Sequence, residues 1–222
     1  MDKPVAWSYS RLSSYETCPK KYHAETIAKS VPWVQSEQAA YGELVHKAFE
    51  LFLKKQTPLP LNLKHWTPVL SQFANAPGEK LVEQQITFNV NYEPTEWMAR
   101  DAWLRVKSDL TIINGTQAVI MDWKTGRQRD EDGMQLKLAA AVTFLLDPDI
   151  TEINMNYLWV QTKTITPFRM KSDQVADFWG NILPRVQRLQ AAHDGNNFPA
   201  RPNYLCRGWC GVKTCEFYEP RR

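Results

Sequence analysis

Between Gly42 and Lys55 the apolar residues Leu44, Val45, Ala48, Phe49 and Phe52 recur three and four positions apart, on one face of a strongly amphipathic helix. Downstream the pattern changes. "LVEQQITFNV", "AWLRVKSDLTII" and "TQAVIMDWKT" each predict a strand, and Asn114-Gly115 between the last two is the strongest short signal for a tight hairpin. After a charged loop from Arg127 to Asp132, "GMQLKLAAAVTFLL" predicts a helix and "TEINMNYLWVQ" another strand. The segment from Asp173 to His193 predicts a helix that Pro184 should kink or interrupt. Near the start, "SYSRLSSYETCPKKYH" suits a short helix entered through Ser8 or Ser10 and ended near Pro19. A Pro-rich connection runs from Thr57 to Pro68, and the tail from Phe198 onward has little regular pattern. This order of elements predicts an α/β or α+β protein with a mixed sheet flanked by helices.

Strand alternation in "QAVIMDWKTG" sends Val119, Met121 and Trp123 to one face and Ile120, Asp122 and Lys124 to the other. If Asn114-Gly115 is a two-residue type I′ turn, Ile113 faces Thr116 and Asp109 falls opposite Ile120. Asp109 then shares the face of Asp122 and Lys124, diagonal to Asp122 at roughly 7–8 Å, near enough for two carboxylates to reach one cation. Such a pair favours a hard divalent ion, Mg²⁺ or Mn²⁺. The plainer alternative is a strand-end ion pair of Asp122 with Lys124, Asp109 being solvated. His46 sits at the border of its helix's apolar face, and Gly42 one turn earlier leaves room beside it. It can supply a nitrogen ligand, or it can be a half-buried packing residue. Glu83, just before "QQITFNV", is a further acidic candidate, or an exposed glutamate at the start of a strand.

A length of 222 residues suits one domain, with room for a small appendage. The net charge of +3 permits a nucleic-acid partner without requiring one. The basic groups Lys20–Lys21, Lys54–Lys55, Arg127 with Arg129, and Arg221–Arg222 are read first as solvated surface charge. Of nine tryptophans, most are expected in the core, with one or two free to stack on bases. No apolar run reaches membrane-spanning length and "MDKPVAWSYS" lacks a signal-peptide stretch, so a cytoplasmic protein without a membrane partner is expected. Four cysteines in such a chain argue against disulfides. Cys206, Cys210 and Cys215 form C-x3-C-x4-C, and Cys18 can complete a set of four. The gaps are not the repeated pairs of zinc fingers, and iron–sulfur clusters need no paired knuckles.

Asp109, Asp122 and Lys124 in the arrangement D-x12-D-x-K, the upstream helix "GELVHKAFE", "SRLSSYETCPKKY", "DWKTG" and Gln135 in "QLKLAAA" together resemble the PD-(D/E)xK nuclease superfamily, in its RecB-like exonuclease branch. The likeness spans Ser8 to Cys215. It implies a restriction-endonuclease-like α/β core with a mixed central sheet, and a single nuclease domain over residues 1–222. Its core would lie at about 40–195, with a cysteine staple from 8–23 and 198–218. It implies Mg²⁺- or Mn²⁺-dependent hydrolysis of DNA. Asp109, Asp122 and His46 would be metal ligands, Lys124 would orient the water and stabilise the transition state, Glu83 would be an accessory acid, and Gln135 would be a site residue. The family's helix motif Q-x3-Y would place its tyrosine at Ala139, so that role is absent here or filled from elsewhere.

CRISPR-associated spacer-processing nucleases and AddB-type helicase-nucleases of this branch hold a 4Fe–4S cluster on one N-terminal and three C-terminal cysteines. The resemblance therefore implies a 4Fe–4S cluster at Cys18, Cys206, Cys210 and Cys215, joining the two chain ends. The usual C-terminal spacing there is C-x2-C-x5-C, which leaves Zn²⁺ as the alternative. The expected activity is a DNA exonuclease of phage or mobile-element type, acting on single- or double-stranded ends in recombination or DNA processing. A recombination protein is a compatible partner, and a bacterial cytoplasm the setting if the chain is phage-encoded. Alternatives are a nuclease-fold accessory that binds DNA without cutting, an endonuclease on the same site, and a redox sensor built on the cluster.

Overall fold

The computed structural model describes residues 4–32 and 34–220; Arg221 and Arg222 lie outside the described residues. In chain order the elements are α1 (Tyr9–Thr17), α2 (Pro19–Tyr22), a π-helical turn (His23–Ile27), α3 (Glu37–Lys55), α4 (Thr67–Asn75), β1 (Glu79–Phe88), β2 (Leu104–Asn114), β3 (Gln117–Lys124), α5 (Met134–Leu146), β4 (Glu152–Trp159), β5 (Thr164–Lys171) and α6 (Val175–Asp194). One mixed sheet runs β1-β2-β3-β4-β5. β2 with β3 and β4 with β5 are antiparallel, whereas β3 and β4 are parallel. Parallel neighbours need a crossover, and α5 provides it. By contacts the chain divides into two compact units: Gln35–Ile86 with Val106–Trp179, and Met1–Val34 with Thr87–Arg105 and Gly180–Arg222.

In the first unit the apolar stripe of α3 decides which strand face is covered. Val45, Phe49 and Phe52 are buried with Trp66 and Leu70 against Leu110, Ile112, Met121, Trp123 and Leu158. Phe49 meets Trp123 edge-on at 5.5 Å between centroids. Each such side chain contributes about 1.5–3 kcal/mol on burial, so the face is strongly specified. Ser36 caps α3 by accepting from the Ala39 N–H, while Glu37 opens and Lys54 and Lys55 close the helix with the polarity its dipole favours. The opposite strand face, with Ile120, Asp122 and Lys124, is left to α5, whose residues from Leu138 to Phe144 are all buried.

The hairpin differs from its expected register. Asn114 pairs with Gln117 and Leu110 with Met121, so Gly115 and Thr116 form the turn. Of these two only Gly115 has positive φ (+59°), whereas type I′ needs it at both. The slip is two residues, and an even slip leaves every side chain on its face. The ladder ends at the Leu110–Met121 pair, and just beyond it Asp109 turns its carboxylate to the Trp123 N–H, near enough to Asp122 for their charges to interact.

Three other expectations change. The connection from Thr57 to Pro68 contains a 3-10 helix (Leu61–Trp66) and leads into α4. β5 carried no clear pattern because it is the last strand of the sheet, where Pro167 is tolerated. α6 runs through Pro184 without ending.

In the second unit Ser8 caps α1 as expected, and Cys18 is its C-cap. Pro19 then opens α2 at the position where proline's missing N–H costs nothing. Arg185 grips Glu16 through two nitrogens at 2.7 and 2.6 Å. Among the described residues no helix is long and apolar enough to cross a membrane.

A Cβ added at Gly42 would sit 3.0 Å from Thr125 Oγ1, so the space expected beside His46 is taken up by a close approach of α3 to the end of β3. Gly42→Ala should gain helix propensity but crowd that hydroxyl, leaving stability nearly unchanged. In a Thr125→Ala background the same change should stabilise by about 0.5–1 kcal/mol, as read by urea denaturation.

Candidate active site

The pairing of β2 with β3 sets two carboxylates against each other with little water: Asp109 is 7% and Asp122 8% exposed. Unpaired charge there would be costly, so the partners matter. Asp109 Oδ2 accepts from the Trp123 N–H at 2.8 Å, and Oδ1 lies 3.1 Å from His46 Nδ1. Asp122 Oδ1 accepts from Gln135 Nε2 at 2.8 Å. Its Oδ2 is 2.8 Å from Lys124 Nζ in an ion pair whose angles fall outside regular hydrogen-bonding geometry. Burial, and then the charge of Asp109, push Asp122 up to about 6 against the pull of Lys124.

His46 enters from α3. Its Nε2 lies 3.1 Å from the Trp123 carbonyl, which only accepts, so that nitrogen carries a proton and Nδ1 faces the acids. Burial works against the charged ring, but the carboxylate of Asp109, hydrogen-bonded to it, and that of nearby Glu83 overcome it and push His46 up to about 10. Glu83 is held at φ +54° inside β1, a left-handed conformation that costs a residue with a Cβ about 1–2 kcal/mol. Its Oε2 pairs with Lys107 Nζ at 2.5 Å, while its buried Oε1 has no hydrogen-bond partner and lies 3.7 Å from His46 Nδ1. Burial alone would raise Glu83, but His46 and Lys107 hold it below its ordinary value.

One ligand atom from each of His46, Glu83 and Asp109 lies within 4.8 Å of the others. Two carboxylates and an imidazole nitrogen, beside two buried oxygens lacking hydrogen bonds, fit a divalent cation. Of the residues singled out in the sequence, Glu83 thus converges directly with His46 and Asp109. Asp122 forms the adjoining group with Lys124 and Gln135.

Lys124 is anchored on three sides. It donates to Gln135 Oε1 at 2.8 Å, attracts Asp122, and stands 4.7 Å above the ring centroid of Tyr157. Tyr157 is the register partner of Asp122 on β4. Neither Tyr157 nor Lys107 stood out in the sequence. Lys107 was within reach, because it precedes Asp109 by two on one strand and so shares its face. Tyr157 gave no local signal; the parallel β3–β4 register alone brings it there. Ala139, at the expected tyrosine position, is buried.

In the other unit Cys18, Cys206, Cys210 and Cys215 are free thiols lining one small pocket, together with Lys20, Lys21 and Arg201. Backbone N–H groups of Arg201 and Asn203 point at Cys18 Sγ (3.4 Å) and Cys206 Sγ (3.5 Å). Burial pushes the Cys210 thiol up. Among the described residues the thiols form no set as compact as the 4.8 Å acidic group. A single tetrahedral zinc, with Zn–S near 2.3 Å, would need sulfurs roughly 3.8 Å apart.

The family model of the PD-(D/E)XK nuclease superfamily matches residues 6–215. No curated protein matches the sequence. Among solved structures, a candidate exonuclease from Eubacterium rectale is similar in fold, at 13% identity over 95% of this chain and 86% of that one, with a TM-score of 0.52. SSO0001 aligns at 14% identity over 98% of this chain and 88% of that one, with a TM-score of 0.49.

Without metal the folded-state value of His46, about 10, lies above its ordinary 6.5. The ion-paired ring therefore contributes stability that is complete below pH 6.5 and lost as pH rises through about 10. Metal-free protein should lose thermal stability across that window, and His46→Gln should flatten the dependence. A cation on Nδ1 must displace its proton, so calorimetry of Mn²⁺ binding at pH 7.5 in buffers of different ionisation enthalpy should register release of about one proton per ion.

Proposed function

The chain belongs to the PD-(D/E)XK nuclease superfamily, and on that footing we propose that it is a divalent-metal-dependent DNA exonuclease working as one nuclease domain over residues 1–222. The observation that carries this reading is the convergence of His46, Glu83 and Asp109 within 4.8 Å, beside Asp122 and an anchored Lys124. His46, Asp109 and Asp122 would hold Mg²⁺ or Mn²⁺, with Glu83 as a further carboxylate on the same ion. Such a bound ion polarises a phosphoryl oxygen and lowers the pKa of a coordinated water. Lys124 orients the attacking water and offsets charge developing on the phosphate. Gln135 keeps Asp122 and Lys124 in a fixed relation by donating to one and accepting from the other. Glu83's strained backbone supports a functional role, since such strain persists where surrounding structure over-determines it.

Action on single- or double-stranded ends, a place in phage or mobile-element recombination or DNA processing, and a bacterial cytoplasm as the setting follow from the RecB-like motifs. The rival reading, a nuclease-fold accessory that binds DNA without cutting, draws on Ala139 at the motif tyrosine position. The three anchors on Lys124 favour catalysis, because a residue with no reaction to promote has no need of so fixed an ammonium.

We further propose that Cys18, Cys206, Cys210 and Cys215 carry a 4Fe–4S cluster, with Zn²⁺ as the alternative. Support comes from the shared pocket and from N–H groups aimed at two sulfurs. The role would be structural, closing a chain loop that runs from Cys18 to Cys206.

Purified protein with Mg²⁺ or Mn²⁺ should degrade linear DNA and spare closed circles, and Lys124→Ala should lower the rate by about 10²–10³-fold. Wild-type protein that binds DNA but leaves it whole would support the accessory reading, and cutting of circles the endonuclease one. Metal and sulfide analysis of anaerobically purified protein should find iron. Cys210→Ala should lose cluster and solubility before Mn²⁺ affinity at the acidic site changes; normal stability with full cofactor occupancy would refute the structural role.

A further inference from the structure

Beyond Lys124 strand β3 ends, and the loop that follows borders an open cleft of about 830 Å³, lined by Lys124, Gly126, Arg127, Gln128, Arg129 and Trp159 among others. Nothing in the proposed hydrolysis uses this cleft, yet it begins at the ammonium that faces the acidic site.

Charge on the loop is sorted. Arg127 to Asp132 contains three acids and two bases, but the cleft lining holds Lys124, Arg127 and Arg129 against a single carboxylate, Glu131. Glu131 is committed to Arg129 at 2.7 Å, and Lys124 to Asp122. Asp132 turns to the start of α5, where it accepts from the Met134 N–H at 2.9 Å. Arg127 is thus left exposed, and among the described residues no carboxylate is paired with it.

The loop is also held. Gln128 Oε1 accepts from the hydroxyls of Thr162 (3.2 Å) and Thr164 (2.7 Å), which ties it to the β4–β5 hairpin and places Arg127 beforehand, lowering the ordering cost of a ligand. A Cβ at Gly126 would meet nothing within 4 Å, so the backbone there is open to close approach. Trp159, which spends its Nε1–H on Thr166 Oγ1 at 2.9 Å, is buried behind the cleft and serves as its floor.

An exposed guanidinium without a paired carboxylate and an accessible backbone, next to the ammonium at the acidic site, suit one ligand class, a phosphate within a polynucleotide chain. We propose that this cleft is the subsite for the nucleotide adjoining the scissile phosphodiester, and that Arg127 binds that neighbouring phosphate. The assignment rests on the nuclease reading and deepens it.

The test is a cycle between protein and linkage. Binding of a short single-stranded oligonucleotide is measured in Ca²⁺ for wild type, Arg127→Gln and Arg127→Lys, against a series in which one linkage at a time is a neutral methylphosphonate. Neutralising one particular linkage should weaken wild type about tenfold and Arg127→Gln no further, the loss expected for a charge-assisted hydrogen bond. The slope of log affinity against log salt should fall by about 0.7 in Arg127→Gln. Arg127→Lys should lie between, keeping the charge but not the fork. Arg127→Gln that binds like wild type, or that weakens binding equally at every linkage, overturns the subsite while leaving the nuclease reading intact if wild type cuts DNA. Wild-type protein that neither binds nor cuts DNA overturns both.

Discussion

Repulsion between two carboxylates in a dry strand pair governs the rest of this site. Asp109 and Asp122 lie near enough for their charges to interact, with under a tenth of each exposed. Two like charges about 5 Å apart repel by about 3–4 kcal/mol at an effective dielectric near 20. Each neighbour answers that repulsion: the Trp123 N–H and His46 on Asp109, Gln135 and Lys124 on Asp122. Two buried oxygens, Asp122 Oδ2 and Glu83 Oε1, still lack a hydrogen bond. An arrangement this rich in anionic oxygen is best balanced by a divalent cation, and His46 marks the exchange, because the proton on its Nδ1 occupies the place a metal would take.

The remaining groups show stability given up for geometry. Glu83 accepts a left-handed backbone in the middle of β1, and its side chain thereby joins His46 and Asp109. Lys107 steadies its other oxygen. Lys124, which would be mobile on an open surface, is caught between an amide, a carboxylate and a ring face. These contacts reduce motion at the atoms where charge would develop in phosphodiester hydrolysis, the condition for electrostatic preorganisation.

The cysteine unit is built on different physics. Its thiols come from segments nearly the whole chain apart and line one pocket, with backbone amides turned towards Cys18 and Cys206 and the Glu216 carboxylate accepting from Cys215.

By itself the sequence determined the faces. Period-two alternation is local, so Asp122 and Lys124 were bound to share one wall, and Asp109 stayed on it because the hairpin slipped by an even number of residues. The stripe on α3 likewise chose which wall it would cover. Only the tertiary structure decided distance and aim. The turn settled on Gly115-Thr116, leaving the acids within reach of each other's charge; packing imposed the left-handed backbone that directs Glu83; and the parallel pairing across α5 slid Tyr157 beneath Lys124. The reason is one of range: side-chain direction follows from dihedral preferences within a few residues, whereas contact between segments far apart in the chain is fixed when their apolar surfaces close on one another.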